Sequence, residues 1–300
     1  MDILTVKGLS KSFGEKQVLD KLDLSVPKNS IFGFVGRNGA GKTTTMKAVL
    51  GLISSDEGEI TVDGERVSFG ETPTNRNIGY LPDVPEFYPF MTAREYLWLC
   101  GECLDMPKDD IKTRSEELLS LVGLENENKR IKGYSRGMKQ RLGIASALLS
   151  RPKLLICDEP TSALDPIGRK EILDLLLSVR EQTTVLFSTH VLSDVERICT
   201  DVAFLHNGKI AMHGNINELK KLAGDNDKFF ISLVDSNATA EVVTAFPKAQ
   251  RVAEDAVIIS GGEGKMYAVL DFLRSHEFSI QRVERAASSL ESLFLEVVKE

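Results

Sequence analysis

The chain has 300 residues, of which 42% are hydrophobic and 27% charged, a balance typical of a globular protein with a full core. Its net charge of −7 argues against broad binding to nucleic acid, which needs a basic surface. The sequence shows neither a secretory signal pattern nor an apolar run of the roughly 18 residues that a membrane span needs, so we expect a cytoplasmic protein that reaches a membrane through a partner.

The first 30 residues read as short strands. Ile3–Val6 forms the first apolar run, a loop is expected over 10–16, and two further apolar stretches lie within 17–26. The strand-like run 31–35 then leads directly into a glycine-rich segment.

That segment matches G-x-x-x-x-G-K-[ST], the pattern of a nucleotide phosphate-binding loop. Glycines let the backbone fold around an anion with its N–H groups inward, and the helix expected from Thr44 adds its positive N-terminal end. Lys42 would reach the terminal phosphates, and the Thr43 hydroxyl would ligate Mg²⁺. The predicted phosphate-binding residues are Gly36, Asn38, Gly39, Ala40, Gly41, Lys42, Thr43 and Thr44.

Residues 58–67 read as strand, Asp-Gly turn and strand, the pattern of a β-hairpin. From residue 91 to 150 the pattern becomes helical, and Thr92–Glu95 predicts a capping box at the start of a helix. Helical apolar spacing recurs over 111–122 and 138–149.

Cys100 and Cys103 form a C-x-x-C pair within this helical region. Since no second pair stands at zinc-site spacing, we interpret them as ordinary helix neighbours three residues apart.

Strands and helices alternate from residue 153. Residues 154–157 and 183–188 predict buried parallel strands with a helix over 169–180 between them, and Asn207-Gly208 predicts a second tight hairpin.

Asp158, Glu159 and His190 follow these two buried strands. Ligands bind at the carboxyl ends of such strands, so we expect Asp158 to hold Mg²⁺ and Glu159 to orient or deprotonate the attacking water. A neutral His190 imidazole could donate to the γ-phosphate.

A polar stretch at 224–227 predicts a domain boundary. We expect a nucleotide-binding domain over 1–223 and a small α+β domain over 224–300, which ends in a helix from Ser289.

At these motifs the chain resembles the ATP-binding cassette (ABC) proteins over residues 3 to about 220. Four segments carry the resemblance beside the phosphate loop: a signature-like Tyr134–Arg141, a strand end Asp158–Thr161, a loop Ser162–Asp165, and His190 as the switch histidine. Phe13 is similar to the aromatic residue that stacks on adenine in this family.

The resemblance implies an α/β fold of the P-loop type, with a mixed sheet core, an antiparallel β subdomain and a helical subdomain over about 84–150. It implies binding of ATP with Mg²⁺ and a head-to-tail dimer with a second ABC subunit, identical or not. Ser135 and the Gly137 backbone would then contact the γ-phosphate on the other copy. The expected partner is an integral-membrane permease on a separate chain, with no nucleic acid, and the protein would lie on the inner face of the cell membrane.

Two departures from the family pattern accompany a likeness to ABC-2-type exporter ATPases, which include bacitracin-resistance and drug-efflux systems. Arg136 stands at a signature glycine, and Asp83 stands where the family usually has glutamine and could face Mg²⁺. In the family the segment with Phe87 and Tyr88 meets the membrane subunit, so we expect an exposed partner groove there.

Two alternatives stay open from the sequence. One is an ABC ATPase of DNA repair or translation, although such proteins usually carry coiled coils, zinc modules or two cassettes. The other is a non-hydrolytic regulatory nucleotide-binding module, which the intact set Lys42, Asp158, Glu159 and His190 speaks against.

Overall fold

The computed structural model describes residues 2–222, 228–285, 290 and 293–294, and the chain divides into two compact units, Met1–Ile216 and Asn217–Glu300. The strands are β1 (Asp2–Phe13), β2 (Lys16–Pro27), β3 (Ile31–Gly36), β4 (Glu57–Val62), β5 (Glu65–Arg66), β6 (Ile78–Leu81), β7 (Leu154–Cys157), β8 (Thr184–Thr189), β9 (Asp201–His206), β10 (Lys209–Asn215), β11 (Lys228–Leu233), β12 (Ala249–Ala253), β13 (Ala256–Ser260) and β14 (Ile280–Arg285). The helices are α1 (Lys42–Val49), α2 (Ala93–Cys103), α3 (Lys108–Leu121), α4 (Arg136–Ala147), α5 (Pro166–Ser178), α6 (Leu192–Ile198), α7 (Ile216–Leu222), α8 (Ser236–Ala245) and α9 (Gly262–Ser275).

The predicted loop over 10–16 is wrong. Strand β1 continues to Phe13, which pairs with Lys16 across a turn, and β2 runs unbroken to Pro27. Asp56 explains why the polar segment stays extended, because its carboxylate accepts hydrogen bonds from Lys11 Nζ at 2.9 Å and from the Ser12 N–H at 2.6 Å. Pairing to neighbouring strands outweighs the local polarity here.

The central sheet of the first unit has the order β10-β9-β3-β8-β7-β6. All neighbours from β9 to β6 are parallel, and β10 joins antiparallel through the predicted Asn207-Gly208 turn. Strands β3, β7 and β8 are buried along their whole length. Because their carboxyl ends share one edge, the loops that follow these three strands converge there.

Strand β6 was not predicted, since residues 78–81 are short and contain a glycine. Gly79 is needed because a Cβ at this position would lie 2.1 Å from the Ala147 carbonyl oxygen. The end of α4 packs so closely on β6 that the strand needs a glycine, and a glycine weakens the sequence pattern of a strand.

A second sheet, antiparallel with the order β2-β1-β4-β5, packs over α1 and the central sheet. Its inward residues share one core with those of β3 and α1, among them Leu4, Leu22, Phe32, Phe34 and Met46. The predicted α/β architecture, with a mixed sheet, a separate antiparallel sheet and a helical segment, is confirmed.

The helical segment begins as predicted. Thr92 caps α2, with its hydroxyl accepting from the Glu95 N–H while the Glu95 carboxylate accepts from the Thr92 N–H. Cys100 and Cys103 both lie on this helix as free thiols, so they are helix neighbours. In the described part of the chain, no group of three or more His, Cys, Asp and Glu side chains could hold a metal ion.

The second unit is a four-stranded antiparallel sheet of order β12-β13-β11-β14 with α8 and α9 packed on it. The sequence missed β12, whose residues after Ala249 are exposed and give no apolar signal. The predicted boundary at 224–227 and most of the predicted helix from Ser289 lie outside the described residues, although Leu290, Leu293 and Phe294 are helical. None of the helices in the described ranges has the length and apolarity of a membrane span.

Candidate nucleotide site

A cleft of about 570 Å³ opens at the carboxyl edge of the central sheet, a size typical of small-molecule sites. The β1–β2 hairpin, the loop before α1 and the ends of β6 and β7 form its walls. Its lining consists of Phe13, Lys16, Val18, Asn38, Gly39, Gly41, Lys42, Thr43, Thr44, Asp83, Asp158 and Glu159. Most of the residues predicted from the sequence thus lie together around one cavity.

The phosphate loop enters α1 through Gly41, which has a left-handed backbone with φ 112°. Other residues are strained in this conformation, and a Cβ here would also lie 2.6 Å from Leu19 Cδ2, so glycine is preferred. The first N–H groups of α1 have no partner within the helix and, with the helix dipole, form an anion site. The glycine therefore places that site at the base of the cleft.

Lys42 supplies the positive charge at this site. Its side chain is 6% exposed, and its ammonium donates to the Gly36 carbonyl at 2.6 Å and more weakly to the Arg37 carbonyl at 3.3 Å. These bonds fix the ammonium next to the loop. Gly36 thus acts through its carbonyl, while Ala40 packs against the core rather than lining the cleft.

Asp158 is buried and accepts two side-chain hydrogen bonds. The Thr43 hydroxyl donates to Oδ2 at 2.7 Å, and the Ser188 hydroxyl donates to Oδ1 at 2.6 Å. Bonds to a carboxylate are charge-assisted and short, so both oxygens are held in a fixed direction. The strand end and the start of α1 are therefore joined at a single acidic group.

Thr43 and Asp158 have the oxygen ligands that Mg²⁺ prefers. Magnesium usually takes one or two protein ligands and fills the rest of its octahedron with water and phosphate oxygens. A hydroxyl and a carboxylate at the edge of a phosphate loop fit that requirement. The Asp83 carboxylate lines the same cleft but faces Arg136, whose Nη2 lies 3.4 Å from Oδ1.

The Glu159 carboxylate lies between Lys42 and His190. Its Oε1 is 3.1 Å from Lys42 Nζ, and its Oε2 is 3.0 Å from His190 Nδ1. The Glu159 backbone is left-handed with φ 47°, a conformation that non-glycine residues adopt at a cost of about 1–3 kcal/mol. This turn directs consecutive acidic side chains to different partners: Asp158 to Thr43 and Glu159 to Lys42.

Two groups near the site are not acid–base candidates. Burial, reinforced by the charge of Asp158, raises the pKa of Tyr80 to about 12. Burial likewise raises the pKa of the Cys157 thiol well above its ordinary range. Both therefore stay protonated at neutral pH.

Ser135 and Gly137 do not line the cleft. Ser135 is the N-cap of α4, where its hydroxyl accepts from the Met138 N–H at 3.2 Å. The residues predicted to contact a nucleotide on another copy thus form a separate helix N-terminus.

Ser188 is the functional residue that sequence reasoning missed. Besides donating to Asp158, its hydroxyl accepts from the Glu159 N–H at 2.9 Å, so one side chain orients both acidic residues. A polar residue inside the buried run 184–189 was the available signal. Lys16 and Val18 also line the cleft without having been predicted.

A second cavity of about 420 Å³ lies beside the helical segment. Three cations and one acid surround an otherwise apolar surface, and the full lining is Val84, Pro85, Glu86, Phe87, Pro89, Ile131, Lys132, Arg136 and Lys139. Phe87 packs edge-on against Tyr96 with ring centres 4.9 Å apart, so it forms a wall of this groove. Tyr88 is 52% exposed and lies outside the lining.

Comparison with known proteins gives a consistent result. The family model described as ABC transporter matches residues 19–162. The ABC transporter ATP-binding protein YxlF of Bacillus subtilis is 38% identical over 99% of both chains. The bacitracin transport ATP-binding protein BcrA of Bacillus licheniformis is 42% identical over 73% of this chain and 72% of its own. A solved ATP-binding subunit of an ABC transporter superposes with a TM-score of 0.65 and 31% identity, over 74% of this chain and 93% of its own.

Proposed function

This chain belongs to the ATP-binding subunits of ABC transporters, which are ATPases, and we propose from this premise that it binds Mg-ATP and drives export through a separate membrane permease. The single observation that carries the proposal is the cluster in which Glu159 contacts both Lys42 and His190, next to the Thr43–Asp158 pair. The cluster brings together a cation that can bind phosphate, a base and oxygen ligands for a metal ion at one edge of the sheet. Such a set is what phosphoryl transfer to water requires.

The residues divide the work as follows. Backbone N–H groups of the phosphate loop and the Lys42 ammonium bind the β- and γ-phosphates, and Phe13 stacks on the base. Thr43 and Asp158 would hold Mg²⁺, which supplies charge neutralisation at the γ-phosphate, and Asp83 stays a further candidate ligand. Ser188 fixes the orientation of Asp158 and Glu159 through its two hydrogen bonds.

Glu159 is the group that accepts the proton of the attacking water. It is 14% exposed and lines the cleft, so a water molecule there can reach its carboxylate. His190 contacts the other carboxylate oxygen and is half exposed, so it can reach the γ-phosphate side while fixing the orientation of Glu159.

The groove beside the helical segment is where we place the permease. Its apolar floor suits an aliphatic or aromatic side chain, and Lys132, Arg136 and Lys139 outnumber the single acid Glu86. A short helix of the permease with an exposed acidic residue fits this surface by charge complementarity. The protein would then sit at the inner face of the cell membrane through that contact.

Export and dimerisation belong to the same proposal. Resemblance to a bacitracin transport ATPase supports an exporter of antibiotic-like compounds. The position of Ser135 and Gly137 outside the cleft supports a head-to-tail dimer in which the N-terminus of α4 closes the nucleotide cleft of another copy. We assign these activities to a nucleotide-binding domain over 1–223 and leave 224–300 as an accessory domain. Neither DNA repair, translation nor a non-hydrolytic role has an observation in its favour.

The test uses Glu159→Gln in the full chain. Without its base the variant should lose at least about 100-fold in turnover while it still binds ATP, and ATP should shift it to a dimer in gel filtration. Exposed Glu116 on α3 offers a matched control, since Glu116→Gln makes the same chemical change at a residue outside the cleft lining. Release of phosphate at the wild-type rate by Glu159→Gln would remove Glu159 from its assigned role.

A further inference from the structure

The Arg136 side chain contacts two loops at the edge of the nucleotide cleft. Its Nε donates to the Ser162 carbonyl at 3.0 Å, and its Nη2 lies 3.4 Å from Asp83 Oδ1 and 3.5 Å from Ser162 Oγ. One planar guanidinium thus spans the segment after β6 and the loop after β7.

Helix α4 holds Asp83 a second time, through Gln140. The Gln140 amide donates to the Asp83 backbone carbonyl at 2.8 Å, and Gln140 is fully buried. Gln140 follows Arg136 by four residues, so both side chains leave the same face of α4. Asp83 is therefore attached to this helix by its backbone and by its side chain.

The Asp83–Arg136 pair stands between the two cavities. Asp83 lines the nucleotide cleft, whereas Arg136 lines the groove assigned to the permease. Val84, which follows Asp83 in sequence, lines that groove too. The pair therefore connects the linings of the two cavities.

The second contact of Arg136 leads to the catalytic base. Ser162 N–H donates to the Glu159 carbonyl at 3.0 Å, so the residue that Arg136 holds closes a turn on Glu159 itself. A cation in the first turn of a helix opposes the helix dipole. The contacts with Asp83 and Ser162 offset that disadvantage and account for an arginine at this position.

We propose that Arg136 is a positioning residue for ATP hydrolysis, holding Asp83 and the Glu159–Ser162 turn at a fixed distance from α4. The inference rests on the proposed function. It differs from direct phosphate binding, because the guanidinium acts through its two loop partners within the same chain. The pair matters as a unit, so loss of either partner should remove the same interaction.

The test is a double-mutant cycle with Asp83→Asn, Arg136→Gln and both together, assayed for Mg-ATP turnover in the full chain. Each single change should lower kcat by about 5- to 10-fold with KM for ATP nearly unchanged, and the double variant should be no worse than the poorer single variant. Arg136→Lys should recover part of kcat, since it restores the charge facing Asp83. Both side chains are nearly half exposed, so folding should be unaffected.

The surface pair Glu59–Arg66, at 3.2 Å on the antiparallel sheet, provides matched controls. Glu59→Gln and Arg66→Gln should leave kcat at the wild-type value. Wild-type kcat in all Asp83 and Arg136 variants would overturn this inference and leave the proposed function standing. A double variant whose loss in kcat is the product of the two single losses, with a raised KM, would do the same, because it indicates an arginine that binds phosphate independently of Asp83. A wild-type chain without any turnover would refute the proposed function and this inference together.

Discussion

Replacing Ser188 by alanine tests whether one hydroxyl orients both acidic residues of the site. The change removes a charge-assisted bond to Asp158, worth about 1.5–3 kcal/mol, and leaves the Glu159 N–H without its acceptor, which costs about 1–3 kcal/mol more. The sum is a loss of about 2.5–6 kcal/mol in the free energy of unfolding. In a unit of this size each kcal/mol lowers Tm by about 2–4 °C, so the expected shift is about 5–24 °C.

The same variant should also hydrolyse ATP more slowly, because Glu159 loses the support that fixes its left-handed turn. Urea unfolding and Mg-ATP turnover measure the two effects separately. Ser115→Ala is the matched control: Ser115 is also buried, but its hydroxyl has no hydrogen-bond partner in the described part of the chain. Removing an unpaired hydroxyl should leave stability unchanged or raise it. If Ser188→Ala and Ser115→Ala unfold at the same urea concentration, the reasoning about Ser188 is refuted.

Three further predictions concern the nucleotide and the acid stability of the fold. Phe13→Ala should weaken ATP binding in calorimetry by about 1–3 kcal/mol through loss of base stacking, and unchanged affinity would exclude that role. Gly41→Ala should abolish nucleotide binding and destabilise by about 1–3 kcal/mol, since its Cβ would meet Leu19 at 2.6 Å; a variant with wild-type Tm and affinity would contradict this. Hydrogen bonds from Lys153 and Lys28 hold the pKa of Asp63 below its ordinary value. Its carboxylate therefore stabilises the fold above about pH 4, and this stabilisation is lost as the pH falls through the lowered pKa. Asp63→Asn should therefore destabilise at pH 7 and unfold with a weaker dependence on acid pH, and an identical urea midpoint at pH 7 would argue against it.

Local signals predicted the parts of the site that lie close together in sequence. Glycine spacing fixes the loop that ends at Lys42, and a buried apolar run followed by Asp158 and Glu159 fixes a strand end. The Asp-Gly and Asn-Gly hairpins are equally local, because their turns need left-handed backbone that these residues adopt easily.

Contacts between distant segments could not be predicted in the same way. Ser188 reaches Asp158 because β7 and β8 pair with Cys157 opposite Phe187, a register that no local pattern encodes. The extension of β1 through Lys11 depends on Asp56, which lies on the other side of the phosphate loop in sequence. Arg136 likewise contacts Asp83 and Ser162, which are distant from it in sequence.

The left-handed backbone of Glu159 lowers the stability of the fold at a residue that turnover requires. Asparagine or glycine relaxes such a conformation, and either one would also remove the carboxylate that the chemistry uses. Laboratory evolution toward heat resistance, run without a screen for phosphate release, should therefore enrich Glu159→Asn and Glu159→Gly. Libraries built on this scaffold need an activity screen at every round to keep the glutamate in place.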